Sequence, residues 1–262
     1  NKRQAGHGEI PKDITPDYLH EAVEQSLDRL GTDHVELLQI HNANVGEMDE
    51  DMFEALDELR ESGTVKAVGW ALGPSIGWLA EGDAAIENEF DVVQMVYNVF
   101  EQVPGQHFLD TIEELDADTT LLARVPHSSG ILNEQVTPET ELGKDDHRGF
   151  RPDAWYDTGW EKLDKLRFLE RDGERTMGQA AIQWLLAHDT VSTVTPTFRS
   201  TDDIDEWAAA PDTPALSEEE FEQVADLHAR GYDIERDDGM SGLRSSINGA
   251  DLDGVSATQA DD

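Results

Sequence analysis

The chain has no cysteine, few basic residues and, at 7%, few aromatics. Without thiols there are no disulfides, no thiolate metal sites and no cysteine nucleophile. Only 19 Lys+Arg stand against 58 Asp+Glu, a formal net charge of −39 over 262 residues. Sequence-independent nucleic-acid binding needs a basic patch to replace counterions, and this balance rules it out. It argues equally against anionic membrane surfaces. No apolar run approaches the ~18 residues of a spanning helix, and the start carries no signal-peptide pattern. What is present is a hydrophobic content of 37%, enough for a core. These features predict a soluble, globular, cytoplasmic protein. The acid is spread along the chain, in runs such as 47–51, 202–205 and 218–222, and the basic residues divide into 6 Lys and 13 Arg. Dense carboxylates with little lysine predict a salt-adapted protein from a halophilic host.

Five short apolar, β-branched runs stand out, at 35–41, 65–72, 92–98, 120–126 and 191–197. They do not alternate cleanly, which suits strands buried on both faces of a parallel sheet. Helical patterns separate them. Thr15 is placed as an N-cap before Pro16, with Leu19, Ala22, Val23, Leu27 and Leu30 on one face and Gly31 as the stop. Further helices are expected at 49–62, 75–88, 105–115, 160–171, 176–188 and 200–209, and from Ser217, whose capping box includes Glu220, to Gly231. Residues 127–153 read as a polar loop, and 232–262 as an acidic mobile tail. Steps of about 30 residues match a (β/α)8 barrel, and no G-x-G-x-x-G supports a doubly wound rival. The expected fold is therefore α/β of the TIM-barrel type, in one domain over 1–231. It is incomplete, since only five of eight strands are found.

Several segments carry a family resemblance. Ser26-Leu27-Asp28-Arg29-Leu30-Gly31-Thr32-Asp33, followed by Leu38-Gln39-Ile40-His41, resembles the fourth helix-to-strand segment of the aldo/keto reductases. Ala55–Leu59 through Gly69 is similar to the next unit, Val92–Asn98 to the sixth strand, and Ala123–Pro126 with Ser129-Gly130-Ile131-Leu132 to the seventh. The stretch Asp145-Asp146-His147-Arg148 is similar to a motif of one branch, and Ala180–Leu186 leading into 191–197 to the last helix and strand. The matches are co-linear from about residue 1 to residue 230, so the five strands correspond to strands 4–8.

The resemblance implies a barrel that binds an extended nicotinamide dinucleotide, NADP or NAD, and reduces a small aldehyde or ketone by hydride transfer. Of the family's catalytic Asp, Tyr, Lys and His, it places the histidine at His41 and makes Lys2 the candidate lysine. The Asp and Tyr belong to earlier segments, and none of Tyr18, Tyr97, Tyr156 or Tyr232 falls where the acid should be. The expectation is a chain lacking the first two strands and most of the third. On the cofactor side the resemblance assigns Gln94 to the carboxamide and Arg124 to stacking on the nicotinamide, its planar guanidinium standing where the family has an aromatic. It gives Arg199 to the 2′-phosphate or diphosphate, Ser200 to the anion-favouring start of a helix, and Glu206 to the cofactor as well. Ala71-Leu72 replaces the family's Ser-Asn pair, Thr197 its glycine or lysine, and Trp207 the asparagine after Glu206. No metal-ligand spacing is present. A dinucleotide-binding regulatory barrel without catalysis and an inactive remnant are the alternative readings. The residues specify neither the substrate nor the oligomeric state.

Overall fold

The apolar runs become strands because each, β-branched or leucine-rich as at 120–124, places apolar side chains on both faces of one sheet. A computed structural model describes residues 13–73, 78–143 and 146–236. Lys2, Asp145 and residues 237–262 of the expected tail lie outside the described residues. The strands are β1 (Val35–His41), β2 (Val65–Ala71), β3 (Val92–Val96), β4 (Thr120–Arg124) and β5 (Val191–Thr195). All neighbours are parallel and the sheet order is β1-β2-β3-β4-β5. Among the described residues β1 and β5 form its edges. Parallel neighbours in chain order are what successive β-α steps produce.

The helices are α1 (Pro16–Leu30), α2 (Glu50–Glu61), α3 (Leu79–Glu87), α4 (Val103–Leu115), α5 (Asp153–Lys165), α6 (Met177–Leu186), α7 (Thr201–Ala208) and α8 (Glu218–Ala229). Local chemistry sets most of their ends. Asp49 caps α2 by accepting from Met52 N–H at 2.8 Å, and Thr176–Gln179 and Ser217–Glu220 form capping boxes on α6 and α8. Thr15 holds the N-cap position of α1, yet its hydroxyl donates to Asp13 instead of capping. Leu19 and Val23 turn inward from α1, while Leu30 is exposed. The core runs from these residues through Trp70, Phe90 and Phe108 to Trp155 and Trp184.

Several elements depart from the sequence expectations. The strands β2, β3, β4 and β5 stop one or two residues early, because the chain turns off the sheet at their carboxyl ends. The helix expected at 160 begins at Asp153, adding Trp155 and Tyr156 to its buried stripe. Its glycine obscured the pattern: Gly159 lies under Ile131, where a Cβ would stand 2.4 Å from Cδ1. The loop at 127–153 is also less open than its polarity suggests, with His127, Ser128, Gly130, Ile131, Leu132 and Val136 buried. Tyr232, placed at the start of the tail, is fully buried and donates to Val99 O at 2.7 Å.

Candidate functional site

The strand register brings the candidate residues of β1 and β3 together. His41 pairs with Ala71, and Ala71 with Gln94, so the three occupy one row across the sheet. Residues on one row share a face. His41 and Gln94 therefore flank Ala71 at a spacing of about 10 Å, two strand separations. One pleat below, Gln39 reaches across Gly69, and Gln94 Nε2 donates to its Oε1 at 3.2 Å. Gly69 makes this crossing possible: a Cβ there would stand 3.0 Å from Val92 O and 3.1 Å from Gln39 Cγ. His41 is exposed at the strand end and Gln94 is half-buried. Asn42 follows His41 with φ 55°, turning the chain sharply off β1.

Arg124 ends β4 on the same face and reaches over β3. Its Nη2 donates to Leu72 O at 3.0 Å and also to Gly73 O, tying β4 to the carboxyl end of β2. Burial lowers the pKa of this guanidinium, and the Glu101 carboxylate partly offsets the effect. Among the described residues its Nε is buried with no hydrogen-bond partner, as is Ser128 Oγ in the loop that follows. That loop is strained. Val125, Ser128, Ser129 and Glu134 all have φ between 45° and 59°, with Gly130 at 97°. A left-handed valine is unfavourable by roughly 1–3 kcal/mol, and such strain gathers at functional sites.

A buried polar network holds the loop in place. Arg151 pairs with Glu101 at 2.9 Å, their side chains 4% and 0% exposed. Arg151 Nε donates to Ser129 Oγ at 2.9 Å, and its guanidinium lies 3.7 Å from the Trp155 ring centre. Asn98 Nδ2 donates to Glu101 at 2.8 Å and to Val125 O at 3.0 Å. Beyond it, His127 Nε2 bonds Gly178 O at 3.2 Å; a carbonyl only accepts, so Nε2 carries the proton. Its ring rests against Trp207 at 4.3 Å between centroids. Burial pushes the His127 pKa down to about 4, against the smaller upward pull of the Gly178 bond and Asp203.

The start of α7 carries the remaining candidates. Arg199 is exposed, and its N–H donates to Asp203 Oδ2 at 2.7 Å. Ser200 caps the helix, its hydroxyl accepting from Asp203 N–H at 3.1 Å. Glu206 accepts from Thr176 Oγ1 at 2.7 Å and lines a cavity of about 850 Å³ between α7, the β4 loop and the turn before α6. The structure thus groups His41, Gln94 and Arg124 on the sheet, and Arg199, Ser200 and Glu206 around α7. The four tyrosines lie elsewhere. Tyr97 bonds His188 at 3.2 Å, Tyr156 donates to Arg148 O and Tyr232 to Val99 O, while Tyr18 is on the surface of α1. Burial raises the pKa of the Tyr97, Tyr156 and Tyr232 hydroxyls.

Sequence reasoning missed the roles of Gln39 and His127, the bond from Thr176 to Glu206, and the Glu101–Arg151 pair. The spacing of Asn98 and Glu101 was a usable signal for the last, since an asparagine just past a strand end readily bonds backbone three residues on.

The model of the aldo/keto reductase family matches residues 3–229, most of the chain. The chain belongs to the aldo/keto reductase family. Among curated aldo/keto reductase relatives and other oxidoreductases, the uncharacterized oxidoreductase YqkF of Bacillus subtilis is 24% identical over 209 residues, 79% of this chain and 64% of the relative. The aldo-keto reductase AKR11C1 from Bacillus halodurans, in its holo form, superposes with a TM-score of 0.66 at 25% identity, covering 87% of this chain and 70% of that one. The glycerol dehydrogenase AKR11B4 from Gluconobacter oxydans shares the fold with a TM-score of 0.72 at 22% identity, over 88% of this chain and 71% of that one. The chain spans half to just under two thirds of the length of the curated relatives it matches. Its parallel five-stranded sheet is the (β/α)8 type of these aldo/keto reductases. No described helix is long and apolar enough to cross a membrane.

Proposed function

We propose that this chain carries the cofactor-binding and carbonyl-orienting face of an NAD(P)H-dependent reductase of small aldehydes or ketones. The observation that supports it most is the register row of His41, Ala71 and Gln94 at the carboxyl ends of adjacent strands. An extended, oxygen-rich dinucleotide suits the residues present, because Arg124 Nε and Ser128 Oγ are buried without partners beside the strained loop. When bound, a reduced nicotinamide supplies the hydride. Gln94 holds a carboxamide through the hydrogen-bonding capacity that Gln39 leaves over. His41 donates to the carbonyl oxygen and stabilises the charge that develops there. Arg199 with Ser200 anchors a phosphate, and Glu206 the nucleoside end. Lys2 belongs to the same proposal as a partner of the proton donor.

An alkoxide needs an acid within about 2.6–3.2 Å, directly or through one water. No tyrosine stands on the His41 row, so the 262 residues reduce carbonyls slowly. Titration of NADH and NADPH followed by tryptophan fluorescence, with turnover on a panel of aldehydes and ketones, tests the reading. The expected result is binding with slow reduction, and His41→Ala removes the reduction while keeping affinity. Failure of both dinucleotides to bind ends the proposal. Binding with no reduction of any carbonyl replaces it with dinucleotide sensing.

The net charge of −39 supports a second element of the proposal, activity in a salt-rich cytoplasm. Salt screens the self-repulsion of such a surface. The melting temperature should climb from low to multimolar KCl, and a flat or falling curve would remove the halophilic reading.

A further inference from the structure

We infer that the cavity beside α7 makes this chain select the unphosphorylated dinucleotide, NAD(H), over its 2′-phosphorylated form, with Glu206 as the selecting residue. The inference rests on the dinucleotide reading above and deepens it.

The cavity is acidic, and its cations are spent. Glu134, Glu170, Asp172, Glu174 and Glu206 line it, with Arg171 and Arg175 as the guanidiniums. Both arginines are committed to Glu220, Arg175 at 2.6 Å and Arg171 at 3.3 Å. Arg175 is also fully buried, donating to Leu169 O and Pro214 O. Arg167, just outside, is shared between Glu134 at 2.7 Å and Glu170 at 3.1 Å. Among the described residues Asp172, Glu174 and Glu206 have no cationic partner. A 2′-phosphate carries close to two negative charges, and guanidinium is the group that recognises it. Among the described residues none is free in this cavity.

Glu206 is built to do the opposite. The Thr176 hydroxyl fixes one carboxylate oxygen at 2.7 Å, and Gln179 Nε2 holds the Glu206 backbone carbonyl at 3.2 Å. Thr176 and Gln179 are themselves locked in the capping box of α6. The second carboxylate oxygen has no partner among the described residues. A carboxylate fixed in this way accepts from a free ribose 2′-hydroxyl, which is how unphosphorylated dinucleotides are read in other folds. Arg199 does not rescue the phosphate. It lies outside the cavity lining, and Asp202 and Asp203 crowd the first turn of α7 beside it. That arginine serves the diphosphate common to both dinucleotides.

The test is direct titration of the 262-residue chain with NAD+ and NADP+, read by tryptophan fluorescence. At ~0.15 M salt, like-charge repulsion acting within about one Debye length should make NAD+ bind roughly tenfold or more tightly. The gap should narrow as salt is raised. Asp172→Asn with Glu174→Gln should improve NADP+ while leaving NAD+ within about twofold. Glu206→Gln should narrow the gap from both sides, weakening NAD+ and improving NADP+. Equal or tighter binding of NADP+ by the unaltered chain overturns the inference, as does a gap that neither variant changes. Those results leave the dinucleotide reading standing. Failure of both dinucleotides to bind overturns both.

Discussion

At the carboxyl end of β1 and on the neighbouring sheet surface the side chains are open: His41 is exposed, and Gln94 and Gln39 are only half-buried. The loops that follow β3 and β4 are closed, with Asn98, Glu101, His127 and the Arg151 that bonds Glu101 all buried in hydrogen-bonded positions. The two halves stand on equivalent strand ends, so the strands do not cause the difference. The closed half gets its rigidity from contacts 50 or so residues apart in the chain, such as Arg151 to Glu101 and His127 to Gly178. The open half has the bond from Gln94 to Gln39, itself 55 positions apart in the chain, so what separates the halves is burial rather than sequence distance. This suits the proposed function, in which the open surface around His41 and Gln94 admits a small substrate beside the nicotinamide.

Breaking the Glu101–Arg151 pair should separate the halves most clearly. Arg151→Ala strands a carboxylate with no exposure and should lower unfolding free energy by about 3–5 kcal/mol. Urea denaturation would show it as a fall in midpoint; a change under about 1 kcal/mol would mean that the network does not hold the loop. Acid comes next. His127 is depressed to about 4 in the folded chain against an ordinary 6.5, so the unfolded chain binds the extra proton first. Stability should be whole above about pH 6.5 and fall by on the order of 3 kcal/mol on approaching pH 4, a fall that shrinks in His127→Gln. His107, between α3 and α4, has the opposite sign. Its bond to Asp83 at 2.8 Å raises its pKa, so its contribution is full below about pH 6.5 and is lost as pH rises through the elevated value. Stability curves of His107→Gln and His127→Gln against pH should therefore diverge from the parent at opposite ends.

Gly178→Ala probes the closed half by volume. A Cβ there would stand 2.4 Å from the Trp207 ring, which is rigid and buried. The loss should be about 1–3 kcal/mol, visible in the same urea titration. Gln94→Ala in the open half should be the mildest, near 1 kcal/mol or below, because it removes one half-buried hydrogen bond. A larger loss there would erase the contrast between the halves.

The same contrast explains what the sequence disclosed. The strands and most helices were legible because their signals are local: β-branched runs, the Ser217–Glu220 box, Thr176 at a cap. His41, Gln94 and Arg124 were legible only through motifs; the row shared by His41 and Gln94 needed the register of three strands, and Arg124 lies beside Val96, two residues further along the sheet. His127 looked like the start of a polar loop because nothing near it in sequence announces Trp207, 80 positions on. The α5 boundary was missed for a related reason, since Gly159 reads as a break until Ile131 is seen to fill the space above it. The acidic lining around Glu206 was hidden among acids everywhere along the chain.

The central claim is that α7 binds the cofactor while the β1 end handles the carbonyl. Tryptophan-monitored titration with NADH of the unaltered chain, Arg199→Ala and His41→Ala tests it most directly. Arg199→Ala should weaken binding about tenfold by removing a charge-assisted phosphate contact, and His41→Ala should leave affinity within about twofold, as a group that acts on the transition state does. An affinity that falls with His41 and ignores Arg199 would contradict the account.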